Sequence, residues 1–290
     1  MTKEVSAKTV RTPASTANLG PGFDTLAIAL ERFIEVDVEL SSSFDVASSG
    51  YGAGVPVDDN HLALQVCKFV LGHSNVSLTI RSDIPLARGM GSSAALAVAV
   101  AVACESDDPL SVAVHFEGHP ENAAASLYGG AVAAASIEGR SVVRSIEVDT
   151  ELVSVLVIPE NELPTHKLRA ALPKSVLRID AIENLSNSLM LALSLKDAST
   201  IERFMFKDNI HQRYRSQFFT ESDTIIDELI RSGCIGAAWS GAGSTMIGFA
   251  TRSLAKQVLS KVKRFQEDRG VFHQVEVVEF NRTGTVVQLA

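Results

Sequence analysis

The sequence predicts an α+β protein of two domains, and three observations carry that prediction. At 290 residues the chain is long for one hydrophobic core and comfortable for two. Stretches of period-two alternation are interleaved with stretches of helical spacing, as in a layer of helices on sheet. Near the middle, the glycine-spaced run Pro85-Leu86-Ala87-Arg88-Gly89-Met90-Gly91-Ser92-Ser93-Ala94-Ala95 joins a strand-like segment to an alanine-rich helical one. The expected domains are 1–150 and 151–290.

In the first half, residues 8–11 read as a strand and 13–24, built from small, polar and glycine residues, as a loop. Residues 26–40 alternate well enough for a long strand or strand pair, with Val36, Val38 and Leu40 on one face. Asp58, Asp59 and Asn60 supply caps for a helix over 61–71 that Gly72 stops. A strand at 76–81 delivers the chain to the glycine run. Helices over 92–104 and 109–127 and strands at 130–136 and 142–148 complete the domain. The second half opens with a strand at 152–158, followed by helices over 173–195, 199–207 and 222–231. A strand at 235–239, a turn at 240–245, a strand at 246–250, a helix over 253–267 and a strand at 275–278 suggest a ferredoxin-like layer.

The glycine run has the makings of an anion cradle. Gly89 and Gly91 admit backbone conformations closed to other residues, and the helix beginning near Ser92 directs unpaired N–H groups and its positive dipole end at that spot. Neither standard nucleotide pattern fits. No lysine follows the glycines as in G-x-x-x-x-G-K-[ST], and Ala94 occupies the third glycine position of G-x-G-x-x-G. Taken alone, the run also reads as a glycine turn capping a core helix.

Composition narrows the field. Hydrophobic content of 46% and charged content of 21% describe a soluble globular chain. The longest apolar run, 94–104, is about half of what a bilayer requires, and the first residues carry no apolar signal core. Cys67, Cys104 and Cys234, odd in number and in apolar surroundings, suit reduced thiols of a cytoplasmic core. A net charge of −8 disfavours nucleic acid, since no basic stripe exists to displace counterions, yet leaves room for a small anionic substrate. His115 and His119 stand four apart, but no third ligand is evident and Pro120 interrupts the helix, which argues against zinc.

Three segments resemble, in order and spacing, the motifs of the family of galactokinase, homoserine kinase, mevalonate kinase and phosphomevalonate kinase. They are Pro13-Ala14-Ser15-Thr16-Ala17-Asn18-Leu19-Gly20-Pro21-Gly22-Phe23-Asp24, the glycine run, and Ser240-Gly241-Ala242-Gly243-Ser244. The Ala17 to Asp24 core and Glu117-Gly118-His119-Pro120-Glu121-Asn122 resemble the homoserine kinase branch in particular. The resemblance spans nearly the whole chain. It implies an N-terminal ATP-binding domain like ribosomal protein S5 domain 2, a C-terminal ferredoxin-like domain, and an active site in the cleft between them. ATP, Mg2+ and L-homoserine are the implied ligands, the product being O-phospho-L-homoserine on the way to threonine. A homodimer is consistent with the same likeness.

By the resemblance, Pro85, Arg88, Gly89, Met90, Gly91, Ser92, Ser93, Ala94 and Ala95 form the phosphate cradle, and Ser93 and Glu117 hold the magnesium ion. Asn18 and Asp24 take the amino-acid end of homoserine, Asp24 pairing with the ammonium. Arg169 and Arg215 match positions that bind the carboxylate, an anion suited to arginine's planar fork; Thr165 stands one turn before Arg169 if that segment is helical. Asn122 orients the acceptor hydroxyl, with His119 and Glu121 in the same pocket and Gly243 in the third motif approaching substrate. Residues around Asn60 and His61 are candidates for the adenine only by their place in the first domain. Two positions depart from the pattern: Glu121 stands where aspartate is usual, and Ser244 where proline is frequent, which relaxes a turn. Since Asn122 cannot take a proton, transfer without a protein base is expected. A mevalonate- or shikimate-type kinase and a nucleotide-binding regulator are the alternative readings.

Overall fold

The computed structural model describes residues 8–289. In chain order the elements are β1 (Lys8–Asn18), β2 (Gly22–Leu40), β3 (Asp45–Gly50), α1 (Leu62–Leu71), β4 (Val76–Ser82), α2 (Ser92–Ala103), α3 (Pro109–Glu117), α4 (Glu121–Tyr128), β5 (Ala131–Ile137) and β6 (Arg140–Ile146). There follow β7 (Leu152–Ile158), α5 (Thr165–Ala170), α6 (Arg178–Ser194), α7 (Gln212–Arg215), α8 (Ser222–Ser232), β8 (Gly236–Trp239), β9 (Met246–Thr251), α9 (Arg252–Arg269), β10 (Gln274–Val278) and β11 (Val286–Leu289).

Two sheets make the two layers. The first runs β11-β1-β2-β4-β3, with β5 pairing the early part of β2 and β6 pairing β5. All its pairs are antiparallel except β3 with β4. Helix α2 lies at its centre. A run of alanine and valine broken only by Leu96, apolar all round, suits a helix packed on every side, and eight of its residues from Ala94 to Ala103 are buried. The second sheet is antiparallel, ordered β10-β7-β9-β8. With α8 and α9 packed on it, β7-α8-β8-β9-α9-β10 is the βαββαβ order of a ferredoxin-like layer.

The expected loop at 13–24 is mostly strand. Residues 14–17 pair with Leu30, Ala29, Ile28 and Ala27, and only a tight turn at 19–21 separates β1 from β2. The segment escaped an alternation test because Ala14 through Asn18 are buried on both faces, where small polar residues fit and no exposed face alternates. The helix expected over 109–127 is two, since Gly118 at φ 80° ends α3 before Pro120 begins α4. The segment 199–207 forms two 3-10 turns, Ala198–Thr200 and Arg203–Phe206, with Glu202 extended between them. Helix α6 starts five residues later than expected, after an extended Leu177. Asp58 does not cap α1; its carboxylate accepts the Asn60 N–H at 2.8 Å and leaves His61 at the helix start without a side-chain cap. Strand β11, also unforeseen, carries the chain back to pair with β1. The three cysteines are free and buried, and Cys67 and Cys104, distant in sequence, bring their sulfurs to 3.6 Å.

Candidate functional site

The glycine run turns at Gly89 (φ 74°) and Gly91 (φ 65°), and both glycines are needed for close approach as much as for the turn. A Cβ on Gly89 would strike the Ser240 carbonyl oxygen, and one on Gly91 would strike Ser15 Oγ. The run is thereby tied to the other two motifs. Ser15 N–H donates to Met90 O at 3.2 Å, Ser240 Oγ to Gly89 O at 2.7 Å, and Thr245 N–H to Arg88 O at 3.1 Å. Gly91 is the residue before α2, so the first N–H groups of that helix, at Ser92 and Ser93, open onto the space in front of the run.

That space is a cavity of about 260 Å³ walled by both halves of the chain. From the first half come Asn18, Asp24, Gly89, Met90, Gly91, Ser92, Ser93, Glu117, His119, Glu121 and Asn122; from the second come Thr165, Arg169 and Arg215, with Gly241 and Ala242 of the third motif. Thr165 and Arg169 occupy one turn of α5, as their spacing required.

The polar groups fall into three sets. At one end Arg169 makes a two-pronged pair with Asp24, each bond 2.7 Å, and this contact is the main cause of the raised Arg169 pKa. Asn18 holds Asp24 in place: its amide oxygen accepts the Asp24 N–H at 3.0 Å while its amide nitrogen donates to Gly241 O at 2.8 Å. Both polar ends of Asn18 are thus spent on the protein. Beside them Arg215 is 1% exposed and, among the described residues, makes no ion pair. Its Nη1 donates to Gly241 O at 2.9 Å and meets His211 Nδ1 at 3.1 Å, its Nε has no partner, and burial pulls its pKa down to about 10.

In the middle, Asn122 Oδ1 accepts from Ser15 Oγ at 2.9 Å and its amide donates to Glu121 Oε1 at 3.1 Å. Glu121 is 1% exposed, lies 2.8 Å from His119 Nδ1 outside good hydrogen-bond geometry, and leaves Oε2 without a partner among the described residues. Burial works against a charged His119 ring, but the Glu121 carboxylate outweighs it and raises the pKa. At the other end Ser93 Oγ donates to Glu117 Oε1. Burial raises the Glu117 pKa, and no cationic side chain is paired with it among the described residues. One desolvated carboxylate beside one hydroxyl suits a hard cation that keeps its other positions for water and phosphate oxygens. No group of three His, Cys, Asp or Glu suited to a metal occurs among the described residues.

A second cavity of about 400 Å³ meets the first at Ser92 and Ser93. Its walls are mainly apolar, with Ile34, Tyr51, Val55, Pro56, Leu62, Ile80 and Leu96, and Asn60 and His61 stand among them. Burial lowers the His61 pKa, and its Nδ1 has no partner among the described residues.

Several expected residues lie elsewhere. Arg88 turns away from the cradle and clamps the second domain: Nε donates to Pro159 O at 2.8 Å, Nη2 to Glu160 O, and Nη1 lies 3.4 Å from Glu162. Ala94 and Ala95 are buried in the core, the Ala95 N–H already bonded to Gly91 O at 2.9 Å, and Pro85 does not line the cavity. Gly243 also stands behind the wall, where a Cβ would strike the Trp239 ring. Ser244 does more than relax a turn, because its buried hydroxyl donates to Asn161 O. His115 stacks on Phe69 at 4.6 Å, outside the cavity. Residues missed in the sequence are Ser15, whose hydroxyl orients Asn122, and the Tyr51-Gly52-Ala53-Gly54-Val55-Pro56 loop, whose glycines beside an aromatic gave a signal that went unread.

Comparison with known proteins gives the family and the fold. Residues 61–130 match the model of the GHMP kinases N terminal domain and residues 183–268 that of the GHMP kinases C terminal region. A homoserine kinase of Bacillus licheniformis is 38% identical, with 92% of this chain and 94% of that protein aligned. One from Desulfitobacterium hafniense is 35% identical over 86% and 89%. The crystal structure of homoserine kinase from Cytophaga hutchinsonii superposes with a TM-score of 0.85 at 25% identity over 99% of both chains. The chain belongs to the GHMP kinase family, with its two-domain α+β fold, and is an ATP-dependent kinase of small molecules. No helix among the described residues is long and apolar enough to cross a membrane.

Proposed function

We propose that the chain transfers the γ-phosphoryl group of ATP to the side-chain hydroxyl of L-homoserine, giving O-phospho-L-homoserine for threonine synthesis in the cytoplasm. The observation that carries this reading is the charge pattern at the Asp24 end of the cavity. Asp24 and Arg169 neutralise one another, while the nearby Arg215 guanidinium is in an ion pair with no carboxylate among the described residues. The Asp24–Arg169 pair is about one-third exposed, so breaking it costs little. A zwitterion fits between them: its ammonium takes Asp24 and its carboxylate the two arginines. A carboxylate without an ammonium would leave Asp24 facing like charge.

The apolar second cavity, with the unpartnered Nδ1 of His61, suits the adenine, and the start of α2 between the cavities suits the phosphates. Ser93 and Glu117 would hold Mg2+, which neutralises charge on the transferring phosphoryl group. Asn122, held by Ser15 and Glu121, aims the acceptor hydroxyl. Its amide accepts no proton, and Asp24 is occupied with the substrate ammonium, so the hydroxyl proton leaves to the transferred phosphate or to water. Catalysis then rests on positioning and charge neutralisation.

The test is Asp24→Asn. Loss of one charge-assisted hydrogen bond, about 1.5–3 kcal/mol, should raise the homoserine KM by roughly 10- to 150-fold and leave the ATP KM unchanged. A deaminated analogue, 4-hydroxybutyrate, which leaves Asp24 facing like charge, should be used less poorly by Asp24→Asn than by the wild type. An unchanged homoserine KM would remove Asp24 from the ammonium site.

A further inference from the structure

No part of the proposed transfer uses His211, yet its ring is fully buried between two walls of the cavity. Nε2 lies 2.8 Å from Gly20 O, in the turn that joins β1 to β2, and Nδ1 lies 3.1 Å from Arg215 Nη1, four residues along the chain. Each partner has a single hydrogen-bonding role: the carbonyl oxygen only accepts and the guanidinium only donates. Nε2 therefore carries the proton, and Nδ1 is a bare acceptor turned to Arg215. Burial, helped by the Arg215 charge, keeps the ring neutral against the pull of Asp208 and Asp24.

Asp208 acts on the backbone instead. Its Oδ2 accepts the His211 N–H at 2.8 Å and the Gln212 N–H at 2.7 Å, and its Oδ1 accepts the Ile210 N–H at 3.0 Å. At 3.7 Å from Nε2, its carboxylate fixes where the ring begins without taking the ring proton. The Phe23 ring covers the other side, its centre 5.2 Å from the imidazole and 5.4 Å from the Arg215 guanidinium carbon.

The donors of Arg215 show what the imidazole does. Nη1 has two N–H groups, one spent on Gly241 O at 2.9 Å and the other on His211 Nδ1. Nε and Nη2 are left without partners among the described residues, and they form one edge of the planar fork, two parallel donors matched to a carboxylate. Gly241 O also accepts the Asn18 amide, so one carbonyl sets the spacing between Arg215 and the residue that holds Asp24. A single bond to that carbonyl would let the guanidinium swing; a second from the same nitrogen fixes its plane.

We propose that His211 is the positioning residue of Arg215: held as the Nε2–H tautomer by Gly20 O, it uses Nδ1 to turn the guanidinium so that the Nε–Nη2 edge meets the substrate carboxylate. The assignment rests on the carboxylate role given to Arg215 above. A ring needed only to hold the Gly20 turn would instead depend on its Nε2 bond.

Two amides separate these roles, because asparagine Oδ1 falls near the place of Nδ1 and glutamine Nε2 near that of the imidazole Nε2. His211→Gln keeps the Gly20 bond and loses the acceptor; its homoserine KM should rise roughly 5- to 20-fold, with kcat and the ATP KM within about twofold. His211→Asn keeps the acceptor and should stay within about threefold of wild type. In an Arg215→Met protein, adding His211→Gln should leave the homoserine KM where it was. The reverse order of the two amides, or independent effects in the double variant, overturns the proposal. Nitrogen NMR of the wild-type protein checks the tautomer where a variant does not fold: the ring whose Nδ1 signal moves in Arg215→Met should carry its proton on Nε2, and a proton on Nδ1 overturns the proposal. An Arg215→Met protein with an unchanged homoserine KM removes the carboxylate reading and the proposal with it. A raised KM there with a silent His211→Gln sinks the proposal alone.

Discussion

Replacing Arg215 by methionine tests the cavity where it is most unusual. The guanidinium is 1% exposed, has no ion-pair partner among the described residues, and holds a pKa pulled down to about 10 by burial. Such a group costs free energy in the empty protein and recovers it only when an anion arrives. Methionine fills the same space without charge, so no large void opens. The fold loses the bonds from Nη1 to Gly241 O and to His211 Nδ1, together worth about 1–2 kcal/mol, partly offset by relief of the buried charge. Binding of the substrate carboxylate loses a charge-assisted contact of about 1.5–3 kcal/mol, a rise of roughly 10- to 150-fold in the homoserine KM. The ATP KM should stay within about twofold, since Arg215 does not touch the apolar cavity. Steady-state ADP release with homoserine varied at saturating ATP and magnesium reads both constants. An unchanged homoserine KM, or equal rises in both constants, would refute the carboxylate role.

Three further outcomes follow from named contacts. Ser15→Ala removes the hydroxyl that orients Asn122; kcat should drop about fivefold, for ~1 kcal/mol, with the homoserine KM unmoved, and a change in KM alone would contradict an orienting role. Arg88→Ala should lower stability by about 1–2 kcal/mol in urea unfolding and leave the ATP KM alone, because Arg88 ties the two domains and not the phosphates; a raised ATP KM at unchanged stability would reverse that assignment. Burial pulls the His211 pKa down to about 4, with Arg215 adding to it and Asp208 opposing, while the unfolded ring titrates near 6.5. The unfolded chain binds the extra proton, so stability should rise with pH between about 4 and 6.5 and be lost on acidification through that window. About 2 kcal/mol of that loss should fall between pH 6.5 and 5. Urea midpoints of wild type and His211→Gln across this range check it: a variant that keeps the full slope rules His211 out.

The sequence made the site more legible than the fold around it. The candidate cradle and substrate residues cluster in short motifs, so Ser93 could be paired with Glu117 by the family likeness, and Thr165 with Arg169 by their spacing, before any coordinates. What stayed hidden depends on the direction of a side chain or on tertiary cover. Arg88 sits inside the cradle motif yet points at carbonyl oxygens of the other domain, and no spacing rule reports that. Gly89 and Gly243 read as room for a ligand, whereas the space beyond them is filled by Ser240 and Trp239. Asp24 and Arg169, assigned to opposite ends of a substrate, hold each other in its absence. The strand at 14–18 was masked by burial on both faces, and β11 by its distance in sequence from the β1 partner that defines it.

The central claim is that this cavity selects an amino-acid alcohol, and acceptor-dependent ADP release tests it most directly. Purified protein with ATP and magnesium would be offered L-homoserine, L-serine, L-threonine, mevalonate and shikimate in turn. Turnover that requires L-homoserine and falls at least tenfold with every other acceptor is the predicted result. Turnover with mevalonate or shikimate in preference to homoserine would contradict the zwitterion site, and ATP hydrolysis indifferent to all five would contradict phosphoryl transfer to an alcohol.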